Sequence, residues 1–179
     1  MNIINTSPHT LLRINEIFVA KKELLSSGFK FGVGLILRNP VGDILVHQEL
    51  MSKPWLGKEI GDYSIPMETI ELGETVQSCL NRLLFEEVGE DVVIALHPTK
   101  QILWYNILNK GIVVIFQARF ICASNLEPAE KGEILPAGWM SPTKLLNQKM
   151  RVGVREIIQN YLGNTGITTR EYNIIQINQ

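Results

Sequence analysis

The segment from Pro66 to Gly89 constrains the fold of this chain more than any other part of the sequence. It reads PMETIELGETVQSCLNRLLFEEVG and ends with two adjacent carboxylates, Glu86 and Glu87. At about 100° per residue, its apolar positions fall on one stripe, which predicts an amphipathic helix packed on a core. The stripe consists of Val76, Leu80, Leu83 and Leu84. Glu87 lies in the middle of that stripe, where a purely structural helix would carry an apolar residue.

The two carboxylates allow two interpretations. Adjacent acids near an apolar face are costly unless a positive charge neutralises them, and a divalent cation is a common partner. The alternative is a frayed helix end, where Glu87 simply reaches solvent. Arg82 precedes Glu86 by four residues and can pair with it, while Gly89 is a suitable helix stop. The helix pattern alone leaves both interpretations open.

The spacing around this helix resembles the signature of the Nudix family, G-x5-E-x7-R-E-U-x-E-E-x-G-U, where U is a bulky aliphatic residue. The matching residues are Glu74, Arg82, Leu84, Glu86, Glu87 and Gly89. The resemblance covers most of residues 30–160, including the strands Phe31–Arg38 and Ile44–Glu49 and the distal Gly138-Trp139-Met140. It implies an α/β fold, a Nudix-type α/β/α sandwich with a mixed sheet and, in this chain, an extra N-terminal helix.

The resemblance also implies a metal site at the end of the helix. Glu87 would be the main ligand of Mg²⁺, with Mn²⁺ as the alternative cation. Glu86 would be a second ligand or the group that orients water, and Glu74 would act in the second shell or through water. Arg82 would hold these carboxylates by charge-assisted hydrogen bonds. The expected reaction is cation-assisted hydrolysis of a nucleoside diphosphate linked to another moiety.

Three positions depart from the family pattern. Met67-Glu68 replaces the usual Gly-Gly, Leu83 replaces a glutamate, and Glu90 replaces an aliphatic residue. Fewer carboxylates leave more of the Mg²⁺ shell to water and substrate phosphate. Leucine after the arginine also resembles the GDP-mannose mannosyl hydrolase branch, which makes a nucleotide-sugar the first choice of substrate. The rival hypothesis is a catalytically weakened domain that senses a nucleotide.

Further site candidates come from other segments. That branch uses a histidine base and a glutamine ligand in the loop before the distal tryptophan, but residues 127–136 contain neither type. Glu130 or Glu133 is the substitute base, and the sequence does not choose between them. For substrate binding, Arg38 is either a phosphate clamp or a solvated strand end. Trp104 and Tyr105 are either base-stacking residues or core residues.

Composition limits the class of protein. A chain of 179 residues with 45% hydrophobic content predicts one domain with a packed core. The net charge of −1 argues against electrostatic binding of nucleic acid. No leader-like start or apolar run of about 18 residues is present, so we expect a cytoplasmic protein without membrane insertion. Cys79 and Cys122 are expected to be reduced core residues.

The chain divides into three predicted parts. Residues 1–29 form an N-terminal helical extension whose helix, Thr10–Ser26, either covers the sheet or pairs with a second subunit in a homodimer. Residues 30–162 form the Nudix-like domain, and residues 163–179 form a tail with a docked strand. Within the domain, the pattern predicts a hairpin that turns at Asn39–Asp43, a second antiparallel pair of strands and two late helices, the first of them capped by Ser141. The second strand pair and the helices are Lys100–Leu108, Gly111–Cys122, Ser141–Asn147 and Arg151–Leu162.

Overall fold

The computed structural model describes residues 3–5, 28, 30–106, 111–127, 132–163 and 172–177. The predicted helix Thr10–Ser26 lies outside these residues. The strands are β1 (Ile3–Asn5), β2 (Lys30–Arg38), β3 (Ile44–Glu49), β4 (Tyr63–Ser64), β5 (Met67–Thr69), β6 (Val93–Asn106), β7 (Gly111–Cys122), β8 (Ile134–Met140) and β9 (Tyr172–Ile177). The helices are α1 (Val76–Leu83), α2 (Pro142–Leu145) and α3 (Val154–Tyr161). A 3₁₀ turn at Pro54–Leu56 and a π-helical turn at Leu84–Val88 complete the described elements.

The described strands form one mixed sheet. Its order is β1-β6-β7-β2-β3-β4, with β5 on β2, β8 on β3 and β9 on β6. The central pair, β2 and β7, is parallel, whereas β6 and β7 are antiparallel. The predicted α/β class with a mixed sheet is therefore confirmed.

Helices cover both faces of this sheet because side chains along β2 alternate between two cores. Val33 and Leu35 point into the core that includes Leu80 and Leu83 of α1. Ile36 points into the other core, which contains Val154, Ile157 and Ile158 of α3. The result is a three-layer arrangement in which the sheet lies between α1 and α3.

Local sequence signals explain where several elements begin and turn. The Asn39 side chain accepts hydrogen bonds from the N–H groups of Val41 and Asp43, at 3.1 and 2.9 Å, and so forms the predicted turn between β2 and β3. Thr75 caps α1 by accepting from Ser78 N. Ser141 caps α2 by accepting from Lys144 N, as predicted.

The second strand pair and the tail also agree with the prediction, with one change of boundary. β6 begins at Val93 instead of near Lys100, and its pairing with β7 shifts register between Leu96 and Gln101. Pro98, which has no N–H to donate, lies in this interruption. The pairing between β6 and β7 is therefore interrupted after Leu96 and resumes at Gln101. The predicted tail strand is confirmed as β9, which pairs antiparallel with β6.

One core prediction is wrong. Cys79 is buried, but Cys122 is exposed. Cys122 is the last residue of β7, and its side chain stays outside the core against which Phe120 and Ala123 pack. None of the helices in the described ranges has the length and apolar character needed to cross a bilayer.

Candidate active site

A cleft of about 340 Å³ opens between the sheet, the end of α1 and the loop before β4. Its lining contains charges of both signs. The cationic residues are Lys30, Lys53, Lys58, Arg82 and Arg151, and the acidic residues are Glu68, Glu71, Glu86, Glu87 and Glu133. The end of α1 supplies one acidic wall, and the loop with Lys53 and Lys58 supplies a basic wall. Such a cleft is suited to a ligand that combines a cation with anionic groups.

A π-helical turn places the two adjacent glutamates at this cleft. It follows α1 and closes with a 2.8 Å hydrogen bond from Gly89 N to Leu84 O. Turns of this kind are often found at functional sites. Leu84 and Val88 stay buried while Phe85 is exposed. Glu87 is also buried, so it does not reach solvent at a frayed helix end.

Glu87 is a carboxylate largely removed from water. Its Oε2 accepts a 2.9 Å hydrogen bond from the backbone N–H of Met67. Burial raises the pKa of Glu87 to about 8, and the positive charge of Lys58 and the Met67 N–H limit that rise. The protein therefore stabilises the negative charge of ionised Glu87 only in part. A cation bound at this position would supply the remaining stabilisation.

His47 is a neighbour that sequence reasoning missed. It is 2% exposed, and its Nδ1 lies 3.7 Å from Glu87 Oε2. Within the described residues this nitrogen has no hydrogen-bond partner. Burial, with a smaller contribution from the Lys58 charge, lowers the pKa of His47 to about 3, so the ring is neutral near pH 7. In the sequence His47 shares a strand face with Leu45, which fits a strand end as well as a site, and no local signal marks its contact with the helix end.

Arg82 connects the remaining carboxylates of the acidic wall. Its Nε and one terminal nitrogen donate to the two oxygens of Glu74, at 3.1 and 2.9 Å. The other terminal nitrogen donates to Glu86 at 3.2 Å and lies 3.3 Å from Glu68. Hydrogen bonds from Arg82 lower the pKa of Glu74. This bidentate geometry fixes Glu74 against the helix.

Arg82 also joins the helix to the strand before it. It donates to the carbonyl oxygen of Thr69, the last residue of β5, at 2.7 Å. Together with the hydrogen bond from Met67 N to Glu87, this contact attaches both ends of β5 to the helix. The loop that carries Met67-Glu68 in place of two glycines is therefore held by the carboxylate and arginine of the signature segment.

The basic wall is built on two carboxylates. Lys58 Nζ lies 3.2 Å from Glu49 Oε2, and an Arg151 nitrogen donates to Glu49 Oε1 at 3.5 Å. Lys53 pairs with Glu133 at 2.5 Å, and Lys58 lies 3.9 Å from the other Glu133 oxygen. The hydrogen bond from Lys53 lowers the pKa of Glu133. In this arrangement Glu133 is an ion-paired carboxylate, which makes it a weaker base.

Not every predicted site residue lies at the cleft. Arg38 is exposed and lines a separate depression with residues 39–42, beside Arg119. Trp104 and Tyr105 lie on β6, opposite Val113 and Ile112 of β7. Glu130, the other candidate base, lies outside the described residues. The structure thus brings Arg82, Glu86, Glu87 and Glu133 to the cleft. Glu74 pairs with Arg82 outside the cleft lining, and Arg38 lies elsewhere.

The donor groups fit a cation that protein and substrate share. Among the described residues, no group of three or more His, Cys, Asp and Glu side chains is arranged to hold a metal ion. Mg²⁺, however, is commonly held by one or two carboxylates together with substrate phosphates and water. Glu87 and Glu86 provide such a pair at the cleft. Leu83, at the position of the missing glutamate, is fully buried in the core.

Comparisons with known structures agree with this architecture. A MutT protein from Methanosarcina mazei Go1 has a TM-score of 0.58 and 18% identity, covering 77% of this chain and 96% of that one. A NUDIX hydrolase from Nitrosomonas europaea has a TM-score of 0.56 and 19% identity, covering 76% and 90%. A C. elegans Ap4A hydrolase has a TM-score of 0.55 and 13% identity, covering 75% and 96%. At these identities the likeness establishes the fold alone.

The family assignment rests on the sequence. No curated protein matches the chain. The family model described as the NUDIX domain matches residues 28–161, which is most of the chain and includes the cleft and the signature helix. The chain therefore belongs to the Nudix hydrolase family.

Proposed function

We propose that this protein is a Mg²⁺-dependent hydrolase of a nucleoside diphosphate joined to another moiety, with Mn²⁺ as the alternative cation. The observation that carries the proposal is the position of Glu87. This buried carboxylate has a pKa raised to about 8 and lies at the end of a cleft that also contains cations. A metal cation would neutralise the carboxylate, and the basic wall would receive the phosphates that accompany the metal.

The side chains have distinct roles in this proposal. Glu87 and Glu86 would hold the cation, which when bound neutralises the diphosphate and makes it a better leaving group. Glu86 would also accept a proton from the attacking water. Arg82 fixes Glu74 and orients Glu86 through its hydrogen bonds. Glu133 is the second candidate base, and it is paired with Lys53 as Glu86 is with Arg82.

A nucleotide-sugar is our first choice of substrate. This choice rests on Leu83, at the position where the GDP-mannose mannosyl hydrolase branch also carries leucine. Cleavage at the diphosphate bridge is the second choice, and two of the similar structures are named as a MutT protein and an Ap4A hydrolase. The two reactions differ in product: sugar–oxygen cleavage releases a nucleoside diphosphate, and bridge cleavage releases a monophosphate.

A nucleotide sensor without turnover is the second candidate function. Two contacts favour it. Met67 presents an N–H donor to Glu87, where a metal-binding loop would present a carbonyl oxygen, and Arg82 already pairs with Glu86. A sensor would show ligand-induced stabilisation of about RT ln(1 + [L]/Kd) without forming product.

A substrate screen separates these functions. The purified protein is incubated with nucleotide-sugars and dinucleoside polyphosphates, with Mg²⁺, Mn²⁺ or EDTA, and products are separated by anion-exchange chromatography. We expect cation-dependent release of a nucleoside diphosphate from a nucleotide-sugar. Release of a nucleoside monophosphate would instead favour cleavage at the diphosphate bridge. Thermal stabilisation by nucleotides without any product would contradict the enzyme and support the sensor.

A further inference from the structure

The turn from Lys53 to Lys58 is a compact element on the cleft wall. Lys53 N donates to Lys58 O at 3.0 Å, and Lys58 N donates to Lys53 O at 3.2 Å. Between them lie the 3₁₀ turn Pro54–Leu56 and Gly57, whose φ of 67° is left-handed. Two reciprocal backbone hydrogen bonds and a glycine in this conformation close the turn tightly.

A second segment of the chain anchors this turn. Val152 N donates to Gly57 O at 3.1 Å. A Cβ atom at Gly57 would lie 2.7 Å from the Val152 Cβ, so the two backbones approach too closely for a side chain there. The turn is therefore fixed against the segment that carries Arg151, which itself lines the cleft.

The turn presents a large aromatic side chain to the cleft. Trp55 is 61% exposed and is part of the cleft lining. An indole held on a fixed turn loses little conformational freedom when it covers a ligand. Flat heterocycles such as nucleobases stack on such rings without needing a specific hydrogen-bond pattern.

The same turn ends in a lysine whose charge is only partly compensated. Lys58 is buried at the cleft, and it shares the buried carboxylate of Glu49 with Arg151. The Glu49 oxygen nearest Lys58 makes no hydrogen bond, so their contact is ionic alone. On this wall three cations, Lys53, Lys58 and Arg151, share the two carboxylates of Glu49 and Glu133, which leaves net positive charge facing the cleft. A phosphate group would complete this arrangement.

We propose that the Lys53–Lys58 turn is the substrate-recognition element, in which Trp55 stacks on the nucleobase and Lys58 holds the diphosphate. Arg151 assists Lys58 from the anchored segment. The choice of a nucleoside diphosphate as ligand rests on the proposed function. The recognition itself does not require turnover, so it is open to a separate test.

Binding is measured by isothermal titration calorimetry in EDTA, which prevents hydrolysis by removing divalent cations. The probes are inorganic pyrophosphate and the nucleoside diphosphates ADP, GDP, CDP and UDP. Comparing pyrophosphate with the tightest nucleoside diphosphate separates recognition of the phosphates from recognition of the base.

Trp55 is tested with Trp55→Ala, Trp55→Phe and a control, Ile60→Ala. Ile60 is 66% exposed and lies outside the cleft lining. Trp55→Ala should lower the affinity for the tightest-binding nucleoside diphosphate about tenfold and leave the affinity for pyrophosphate unchanged. Trp55→Phe should retain most of the affinity for the nucleoside diphosphate, and Ile60→Ala should leave the affinity for both probes unchanged. Equal loss for pyrophosphate and nucleotide in Trp55→Ala would contradict stacking.

Lys58 is replaced together with Glu49, because Lys58→Met alone would remove one of the two cations that neutralise the Glu49 carboxylate. Lys58→Met combined with Glu49→Gln should weaken pyrophosphate binding at least about tenfold. Glu49→Gln alone should tighten pyrophosphate binding, because Lys58 and Arg151 lose a carboxylate that competes with the phosphates. If Glu49 had a purely structural role, the affinity for pyrophosphate would not increase. Lys144→Met, at an exposed lysine outside the cleft, is the charge control.

The outcomes separate this inference from the proposed function. Binding that responds to these variants as predicted, in a protein without turnover, would support the recognition element and contradict the hydrolase. Turnover in a protein whose pyrophosphate affinity is unchanged by the Lys58→Met/Glu49→Gln pair would overturn the recognition element and leave the hydrolase standing. Unchanged affinity for all four nucleoside diphosphates in Trp55→Ala would overturn the assignment of Trp55.

Discussion

The backbone N–H of Met67 donates a 2.9 Å hydrogen bond to Glu87 Oε2, across 20 residues of sequence. This contact joins the strand before the signature helix to the carboxylate at its end. The hydrogen bond uses one of the two carboxylate oxygens of Glu87. The same oxygen lies 3.7 Å from Nδ1 of His47, so the helix end, β3 and β5 meet at this carboxylate.

The first prediction concerns Glu87→Gln without divalent cations. The folded pKa of Glu87 is about 8, above its ordinary value of 4.5. Between these values the folded protein binds more protons than the unfolded chain, so this group makes stability fall as pH rises. Glutamine is neutral and keeps an oxygen for Met67 N–H. From about pH 5 to about pH 8, the variant should gain at least about 1 kcal/mol relative to the wild type.

This change is measured by urea denaturation in EDTA at several pH values. Glu156→Gln is the control, because Glu156 belongs to the first turn of α3 and lies outside the cleft. A constant difference between Glu87→Gln and the wild type across this pH range would mean that Glu87 titrates normally. It would also remove the argument that its ionised form needs a cation.

Arg82→Lys tests whether the planar fork of arginine organises the acidic wall. Lysine keeps the charge but cannot make the bidentate contact with Glu74 while also reaching Glu86 and the Thr69 carbonyl. We expect a loss of about 1–3 kcal/mol in unfolding free energy and weaker Mg²⁺ binding. Arg119→Lys, at an exposed strand residue, should change neither. Wild-type Mg²⁺ affinity in Arg82→Lys would show that charge alone suffices.

Gly32→Ala tests the close approach of β2 to β5. A Cβ atom at Gly32 would lie 2.8 Å from the carbonyl oxygen of Glu68. Relief of this contact requires β5 to move, and β5 carries the Met67 N–H that holds Glu87. We expect a loss of about 1–3 kcal/mol in stability together with weaker Mg²⁺ binding.

Gly34→Ala on the same strand is the matched control for this variant. There the two nearest atoms belong to side chains, Ile115 Cδ1 at 2.5 Å and Met67 Cγ at 3.2 Å, which can adjust without a shift of the β5 backbone. It should cost less stability and leave Mg²⁺ binding near the wild-type value. Equal loss of Mg²⁺ affinity in both variants would refute the role assigned to the position of β5.

Leu83→Glu restores the family glutamate. Leu83 is fully buried in the core and does not line the cleft, so a glutamate there faces apolar side chains. We expect a loss of about 3 kcal/mol or more in unfolding free energy and no increase in turnover. Leu83→Met should cost less than about 1.5 kcal/mol. A large gain in turnover for Leu83→Glu would instead indicate an ordinary Nudix site that has lost one ligand.

The sequence predicted the elements of the fold that depend on local signals. The apolar stripe of α1, the Asn39 turn and the Ser141 cap act within a few residues, and each is present in the structure. Helical geometry placed Glu87 on the apolar stripe but left open whether it reaches solvent, and the structure shows that it is buried. The prediction that Cys122 is a core residue was wrong, because an apolar strand sequence does not show which of its last residues the core covers.

The contacts that complete the cleft are long-range, and no local pattern encodes them. His47 meets Glu87 across 40 positions, and Arg151 reaches Glu49 across 102. Trp55 was visible only as an aromatic residue in a long loop, until the turn around it placed the indole on the cleft. The sequence therefore predicted the acidic wall, whose residues lie in one continuous segment of the chain, and missed the lysines and the arginine of the basic wall, which come from distant segments.

The most direct test of the account is a crystal of the protein soaked in Mn²⁺, with the cation located by its anomalous scattering. We predict one peak at the cleft, within about 2.3 Å of a Glu87 oxygen, and no such peak in Glu87→Gln crystals. A wild-type crystal with no Mn²⁺ at that carboxylate, although the cleft is open to solvent, would contradict the metal site on which the proposed hydrolase depends.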